Sequence, residues 1–311
     1  GRMAKLITGK LESKKVTSVL YQGRTYDTKQ GIDQELLPIN EAKVRASEDT
    51  AFRISPLRQV FGDMGNQEAE DAVLAGTYQT PPGTPHGAQL FLQHAKKPPG
   101  IVDSPLGITT EDHISAMKKS KEATTGGLSG LHVGMFKANS KVPELAQLDA
   151  SMRSLPNYTG CSHKRSQTCA DVQLHKRFGN INAKEHRTIC VSEIYSNATF
   201  KLIGKQAMWN GKRAKALTRD NLGGRKGMHP VEVSMNQHLL YNLIRAKWGR
   251  AVTMSKDAWG CYDRIAHIAI LLALRRLGIP RPPDLSHAGN NPKDAALHPC
   301  CFRRVDPVLW W

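Results

Sequence analysis

Seven residues, Asp257-Ala-Trp-Gly-Cys-Tyr-Asp263, have the types and spacing best suited to chemistry. A β-prone run from Ala251 to Met254 leads into Asp257, an aromatic follows five residues later, and Ile265 to Leu277 reads as an apolar helix. A carboxylate at a strand end is well placed to hold a metal. His267, on the apolar helix, reads as a core or partner-bound histidine rather than a catalytic base.

A second chemical feature is charge. The 311 residues carry 44 Lys and Arg against 27 Asp and Glu, a formal net charge of +17. From Lys201 to Arg250 eleven basic residues, among them Lys201, Lys205, Arg225 and Lys226, face only Asp220 and Glu232, so this block holds about half of the surplus. Such a field favours polyanions, nucleic acid first, because neutralising phosphates releases condensed counterions. A solvated basic face fits the same composition equally well.

Other chemistries have less support. Cys161, His163, Cys169 and His175 have a C-x-H-x5-C-x5-H spacing without the close ligand pairs of a zinc module. The six cysteines are scattered, and the opening GRMAKLITGKLESKK lacks an apolar core of signal-peptide length, so reduced thiols in an intracellular, nuclear or cytoplasmic setting are expected. The longest apolar run, Ile268 to Leu274, is too short to span a bilayer, and no membrane partner is expected.

The elements that must position these residues read as follows. Val16 to Tyr21 and Arg24 to Tyr26 suit a hairpin turning at Gly23, and a polar helix fits Asp33 to Thr50. Helices are expected over Asn66 to Leu74 and Ala88 to Ala95, separated by the Pro- and Gly-rich breaker 76–85. Another starts at Thr109 and Thr110, with Thr110 as N-cap and His113 in the position where a capping box has Glu or Gln. Gly126, Gly127 and Gly130 then allow close backbone approach to an anion. Pro230 fits a first helical turn, and Val231, Met235, Leu239, Tyr241 to Ile244 and Trp248 make an amphipathic helix whose apolar residues are expected in the core.

In order, Gly76-Thr-Tyr-Gln-Thr-Pro-Pro-Gly83, Met117-Lys-Lys-Ser-Lys121, Ser129-Gly-Leu-His-Val-Gly-Met-Phe-Lys137, Arg187-Thr-Ile189 with its following helix, and Asp257 to Asp263 resemble the fingers and first palm motif of eukaryotic non-LTR-like retroelement reverse transcriptases. The similarity runs from about Val16 to Pro283. Leu217 to Gly227 resembles the loop before the palm helix, with Asp220 and Asn221 where the family has Glu and Gln. Ser154 to Arg177 departs from the family, which has a tryptophan and a basic strand near there.

The resemblance implies an α+β fold, an incomplete polymerase right hand: a helical lead-in over 1–108, fingers and partial palm over 109–283, and an irregular tail over 284–311. It implies that Asp257 anchors Mg²⁺, that Tyr262 lies under the incoming sugar as the steric gate, and that Arg187 grips the triphosphate with its always-charged guanidinium. Lys201, Lys205, Arg225 and Lys226 would track nucleic-acid backbone. The implied partners are an RNA template, a DNA primer and deoxynucleotide triphosphates.

Two-metal nucleotidyl transfer needs more than one carboxylate, and the family supplies the others from a Tyr/Phe-x-Asp-Asp hairpin. No two aspartates are adjacent anywhere in this chain. The expectation is therefore a truncated or degenerate RNA-directed DNA polymerase domain without polymerase activity. The alternatives are a non-catalytic, sequence-independent nucleic-acid-binding fragment and an unstable remnant whose uncovered apolar face promotes aggregation.

Overall fold

The computed structural model describes residues 18–63, 65–124, 126–160, 162–163, 166, 169–175, 182–217, 227, 229–247, 249–250 and 264–281. These residues form an α+β structure that is mainly helical, with two small antiparallel ladders.

β1 (Val19–Tyr21) and β2 (Arg24–Tyr26) pair antiparallel with Val19 opposite Tyr26. The two-residue turn between them has φ of 49° at Gln22 and 80° at Gly23, so a glycine is favoured at the second position. α1 (Lys29–Val44) begins four residues before the expected start and stops short of Thr50. Val19, Ile32 and Leu36 bury against Ala183, which ties this N-terminal unit to the strand that follows residue 185.

α2 (Leu57–Phe61), α3 (Gln67–Ala75) and α4 (His86–His94) form the rest of the lead-in. Asn66 caps α3 by accepting a hydrogen bond from the Ala69 amide, and Gly76 ends it in the left-handed region. Phe52, Leu57, Phe61, Val73 and Leu92 close around Ala266, Ile268 and Leu272. Ile268 and Leu272 belong to α10 (His267–Arg276), the helix after the Asp257 stretch, so the lead-in and the C-terminal helix share one core.

α5 (Thr110–Lys119), α6 (Val133–Asn139), α7 (Pro143–Thr159) and α8 (Ile194–Arg213) make a second packed unit. The N-cap of α5 is Thr109, whose side chain accepts from the Asp112 amide, one residue earlier than the sequence reading placed it. His113 is not a capping residue at all; it is fully buried. Met117, Val133, Phe136, Ile194, Tyr195 and Ala198 form the apolar part of this core, with Phe136 and Tyr195 edge-to-face at 4.6 Å between ring centroids.

Its polar part is a buried network. Asp149 accepts from the Tyr195 hydroxyl and from Asn139 Nδ2, and Arg153 donates to Thr199 Oγ1 and to His113 Nδ1, the last at 3.1 Å. A guanidinium only donates, so Nδ1 carries the lone pair and His113 is the neutral Nε2–H tautomer. Burial holds the His113 ring below the usual histidine range, with Arg153 adding to the shift and Asp149 opposing it. The 3.7 Å approach of Nε2 to Asp149 is therefore not an ion pair at neutral pH. Burial also pulls Arg153 down to about 10, which leaves it charged at neutral pH.

β3 (Ala170–His175) and β4 (His186–Val191) pair antiparallel from Ala170 opposite Val191 to His175 opposite His186. Cys169, at the foot of this ladder, is bonded to Cys190, where the sequence reading expected free thiols. The Cys169 sulfur, which the zinc pattern placed in a ligand set, is thus taken up in this bond.

α9 (Pro230–Ala246) starts with Pro230 at its first position, as its fixed φ favours. The apolar residues expected in the core do not all reach it: Leu243 and the three nearer the start are exposed, Tyr241 and Ile244 are half-buried, and Trp248 lies outside the described residues. Val231, Met235 and Leu239 are 64, 58 and 63% exposed. The amphipathic pattern is real, but a pattern shows only which face is apolar; what covers that face depends on tertiary contacts.

Candidate nucleic-acid interface

β4 leads through Ser192 and Glu193 straight into α8. Glu193 is fully buried and holds the Gly-rich loop: its Oε1 accepts from the Ser129 amide at 2.9 Å and its Oε2 from the Ser129 hydroxyl at 2.6 Å. Gly127 lies against the same carboxylate, where a Cβ would come within 2.5 Å of Oε1. The anion that this loop approaches is thus the chain's own glutamate.

With its first turn pinned in this way, α8 buries Ile194, Tyr195, Ala198, Leu202 and Ala207. At its far end Asn210 Nδ2 donates to the carbonyls of Val102 and Leu277 and to Ser104 Oγ, which joins α8, the 101–108 segment and the end of α10. Gly278 fits this junction because a Cβ would lie 2.5 Å from the Val102 oxygen. Both ends of the helix are therefore fixed.

The outer face of α8 carries Lys201, Lys205, Trp209 and Arg213, each four residues from the next and all exposed. Side chains at i and i+4 stand one above another, so the four form one stripe of roughly 18 Å. Trp209 is 58% exposed, and the Arg213 guanidinium lies 4.5 Å from its ring centroid. Among the described residues no carboxylate forms an ion pair with Lys201, Lys205, Lys212 or Arg213. Lys212 and Arg213 also stand in the last turn, where the helix dipole favours cations. An exposed tryptophan among cations is a surface that can stack a base and follow phosphates.

The sequence-derived site residues fall into two sets. Lys201 and Lys205 are brought together on this stripe. The backbone of Arg187 lies in β4 opposite Leu174, on the strand that feeds the same helix. Asp257, Tyr262, Arg225 and Lys226 lie outside the described residues. Among the described residues no three His, Cys, Asp or Glu side chains converge as a metal site, and no helix is long and apolar enough to cross a membrane.

His267 opens α10, half-buried; burial holds it below the usual histidine range, Arg53 adds to the shift and Asp63 opposes it. Sequence reasoning missed Trp209, although its i+4 spacing from Lys205 was available once α8 was taken as one continuous helix. Comparison of the chain with known protein families finds no match, and comparison with curated proteins finds none either.

Proposed function

We propose that residues 109–283 are reverse-transcriptase-like fingers and the first half of a palm, and that these 311 residues bind nucleic acid through α8 without sequence preference. The observation that carries the binding is the exposed stripe Lys201, Lys205, Trp209 and Arg213, held on a helix fixed at both ends. Its cations follow phosphates, and its indole offers a π-face that every base can stack on. RNA template and DNA primer are the partners this reading assigns.

The right-hand reading rests on the motif order from Gly76 to Asp263 and on a strand pair leading into a basic helix. On that reading Arg187 grips the triphosphate, Tyr262 lies beside the incoming sugar and Asp257 is the Mg²⁺ anchor. With one anchor and no adjacent aspartates, these residues alone are not expected to extend a primer. The same reading gives the bare apolar face of α9 a reason, since further palm structure would cover it.

Filter binding of a single-stranded RNA and of an RNA–DNA hybrid at a series of salt concentrations tests the proposal. Binding should weaken steeply with salt, and Lys201→Ala/Lys205→Ala should lower the log–log slope by about two. Equal binding by that variant and the wild type would overturn it. Mg²⁺-dependent primer extension on the RNA, with Asp257→Ala beside the wild type, tests the chemistry. Incorporation lost in Asp257→Ala would overturn the inactive reading.

A further inference from the structure

We propose that Cys169 and Cys190 are a reversible redox pair at the foot of the β3–β4 ladder, in which Cys190 is the sulfur attacked from solution. Three observations place the chemistry there. The two sulfurs are bonded, with their Cα atoms 5.9 Å apart, within the normal range for a disulfide. They occupy the end of the ladder, where Ala170 pairs with Val191 and Asp171 with Cys190, so the six-residue register brings them together. Their exposures differ sharply: Cys169 is 5% exposed, whereas Cys190 is open to solvent.

That difference fixes the order of events. Thiol–disulfide exchange needs a thiolate that can reach a disulfide sulfur, and a buried thiol admits no second molecule. Cys190 loses its proton to solvent, and its thiolate attacks one sulfur of a small-molecule disulfide. A mixed disulfide forms and one small thiolate leaves. Cys169, held beside it, gives up its proton, and its thiolate attacks the Cys190 sulfur and expels the second small thiolate; the two departing thiolates take up the two protons that the protein thiols release. Two protein thiols have been oxidised to one disulfide, and one small disulfide has been reduced to two thiols. The reverse exchange, with excess small thiol, starts at the same exposed sulfur.

The bond sits two residues from the buried Ser192 and three from Glu193, which starts α8 and holds the Gly-rich loop. Oxidation therefore staples the strand that sets the position of the basic helix. The bond spans 21 residues of sequence, so most of its effect falls on the conformational freedom of the unfolded chain. This inference concerns sulfur chemistry and holds or fails independently of nucleic-acid binding.

The full chain, first reduced, is equilibrated in glutathione buffers of increasing disulfide content, quenched with acid and an alkylating agent, digested and analysed by mass spectrometry. The peptide pair joining Cys169 to Cys190 should rise with oxidant and disappear again on return to reduced glutathione. In Cys169→Ser, Cys190 should accumulate as the glutathione mixed disulfide, several-fold above Cys169 in Cys190→Ser. Absence of the joined peptides, or equal trapping at the two positions, would overturn the proposal. A chain with Ser at positions 161, 261, 300 and 301 removes competing pairings. In it the oxidised form should melt about 5 °C above the reduced form; coincident melting would show that the bond staples nothing.

Discussion

Glu70 accepts a hydrogen bond from Arg275, 205 residues later in the chain, with Oε2 2.7 Å from Nη1. Its other oxygen accepts from Arg281 at 2.6 Å, and Arg275 also donates to Asp71. Glu70 is fully buried on α3 and both arginines are largely shielded, so one carboxylate joins α3 to α10 and the segment that follows it. The nearby apolar cluster of Phe61, Val73 and Leu272 makes the same connection by packing.

Glu70→Ala leaves two shielded guanidinium groups without their carboxylate. Removing one partner of a buried ion pair strands the other charge, so a loss of about 3 kcal/mol is expected. Glu70→Gln keeps one acceptor oxygen and should fall between alanine and the wild type. Urea denaturation followed by circular dichroism measures both. An alanine variant as stable as the wild type would mean that the lead-in and α10 are held together by packing alone.

Gly127→Ala should be costly for a different reason. Its Cβ would lie 2.5 Å from Glu193 Oε1 and 2.9 Å from Glu193 Cα, and the second of these atoms is backbone that cannot swing aside. Overpacking of this kind costs about 1–3 kcal/mol. Glu193→Gln leaves one carbonyl oxygen for the two Ser129 donors and should lose about 1–2 kcal/mol. Since both variants disturb one contact, the double variant should lose less than the sum of the two. Strict additivity in urea denaturation would contradict the arrangement.

These contacts show what the sequence made legible. The β1–β2 hairpin followed from Gly23, α3 from Asn66 and Gly76, and α9 from Pro230, because turn and cap residues act through local backbone geometry. α7 was not read as a helix. It buries Ala146, Asp149, Ala150, Arg153 and Ser154 while Leu145, Leu148 and Leu155 face outward, so hydrophobic periodicity points to the wrong side. Lys201 and Lys205 stand out by the charge of their block and by the resemblance, yet their alignment with Trp209 and Arg213 depends on an unbroken helix. The Gly-rich loop suggested room for an anion, and only the fold brings Glu193 to it.

The buried histidines give a pH dependence. The folded state holds His113 and His267 below the usual range, so the unfolded chain binds more protons as pH falls through about 6.5. The stability from burying neutral rings is complete above that pH and is lost below it. A proton on Nδ1 of His113 would also face the Arg153 guanidinium that now donates to it. Melting temperature should drop between pH 7.5 and 5.5, a window above most carboxylate titration. His113→Gln should flatten the profile and His113→Gln/His267→Gln flatten it further. A wild-type profile level across this window would rule out neutral burial.

Trp209→Ala separates stacking from charge on α8. Truncating an exposed ring costs the fold little, whereas a base stacked on it contributes about 1–3 kcal/mol to binding. The variant should weaken binding of single-stranded RNA at every salt concentration while leaving the salt slope unchanged, because no cation has been removed. Filter binding across the salt series reads both quantities. A lowered slope would mean that Trp209 acts by holding Arg213 in place, 4.5 Å from the ring, rather than by stacking.

Two leucines on neighbouring amphipathic helices should respond in opposite ways. Leu272 on α10 is fully buried among Phe61, Val73 and Leu92, so Leu272→Ala creates a cavity and should cost about 2–5 kcal/mol. Leu239 on α9 has the same residue type and similar spacing but is 63% exposed. Leu239→Ser removes little buried surface and should change stability by less than about 0.5 kcal/mol. It also interrupts the bare row of Val231, Met235 and Leu239, so it should reduce self-association in sedimentation velocity at rising concentration. A loss from Leu239→Ser comparable to that from Leu272→Ala would show that α9 is packed in solution, and the core position read from its periodicity would then stand.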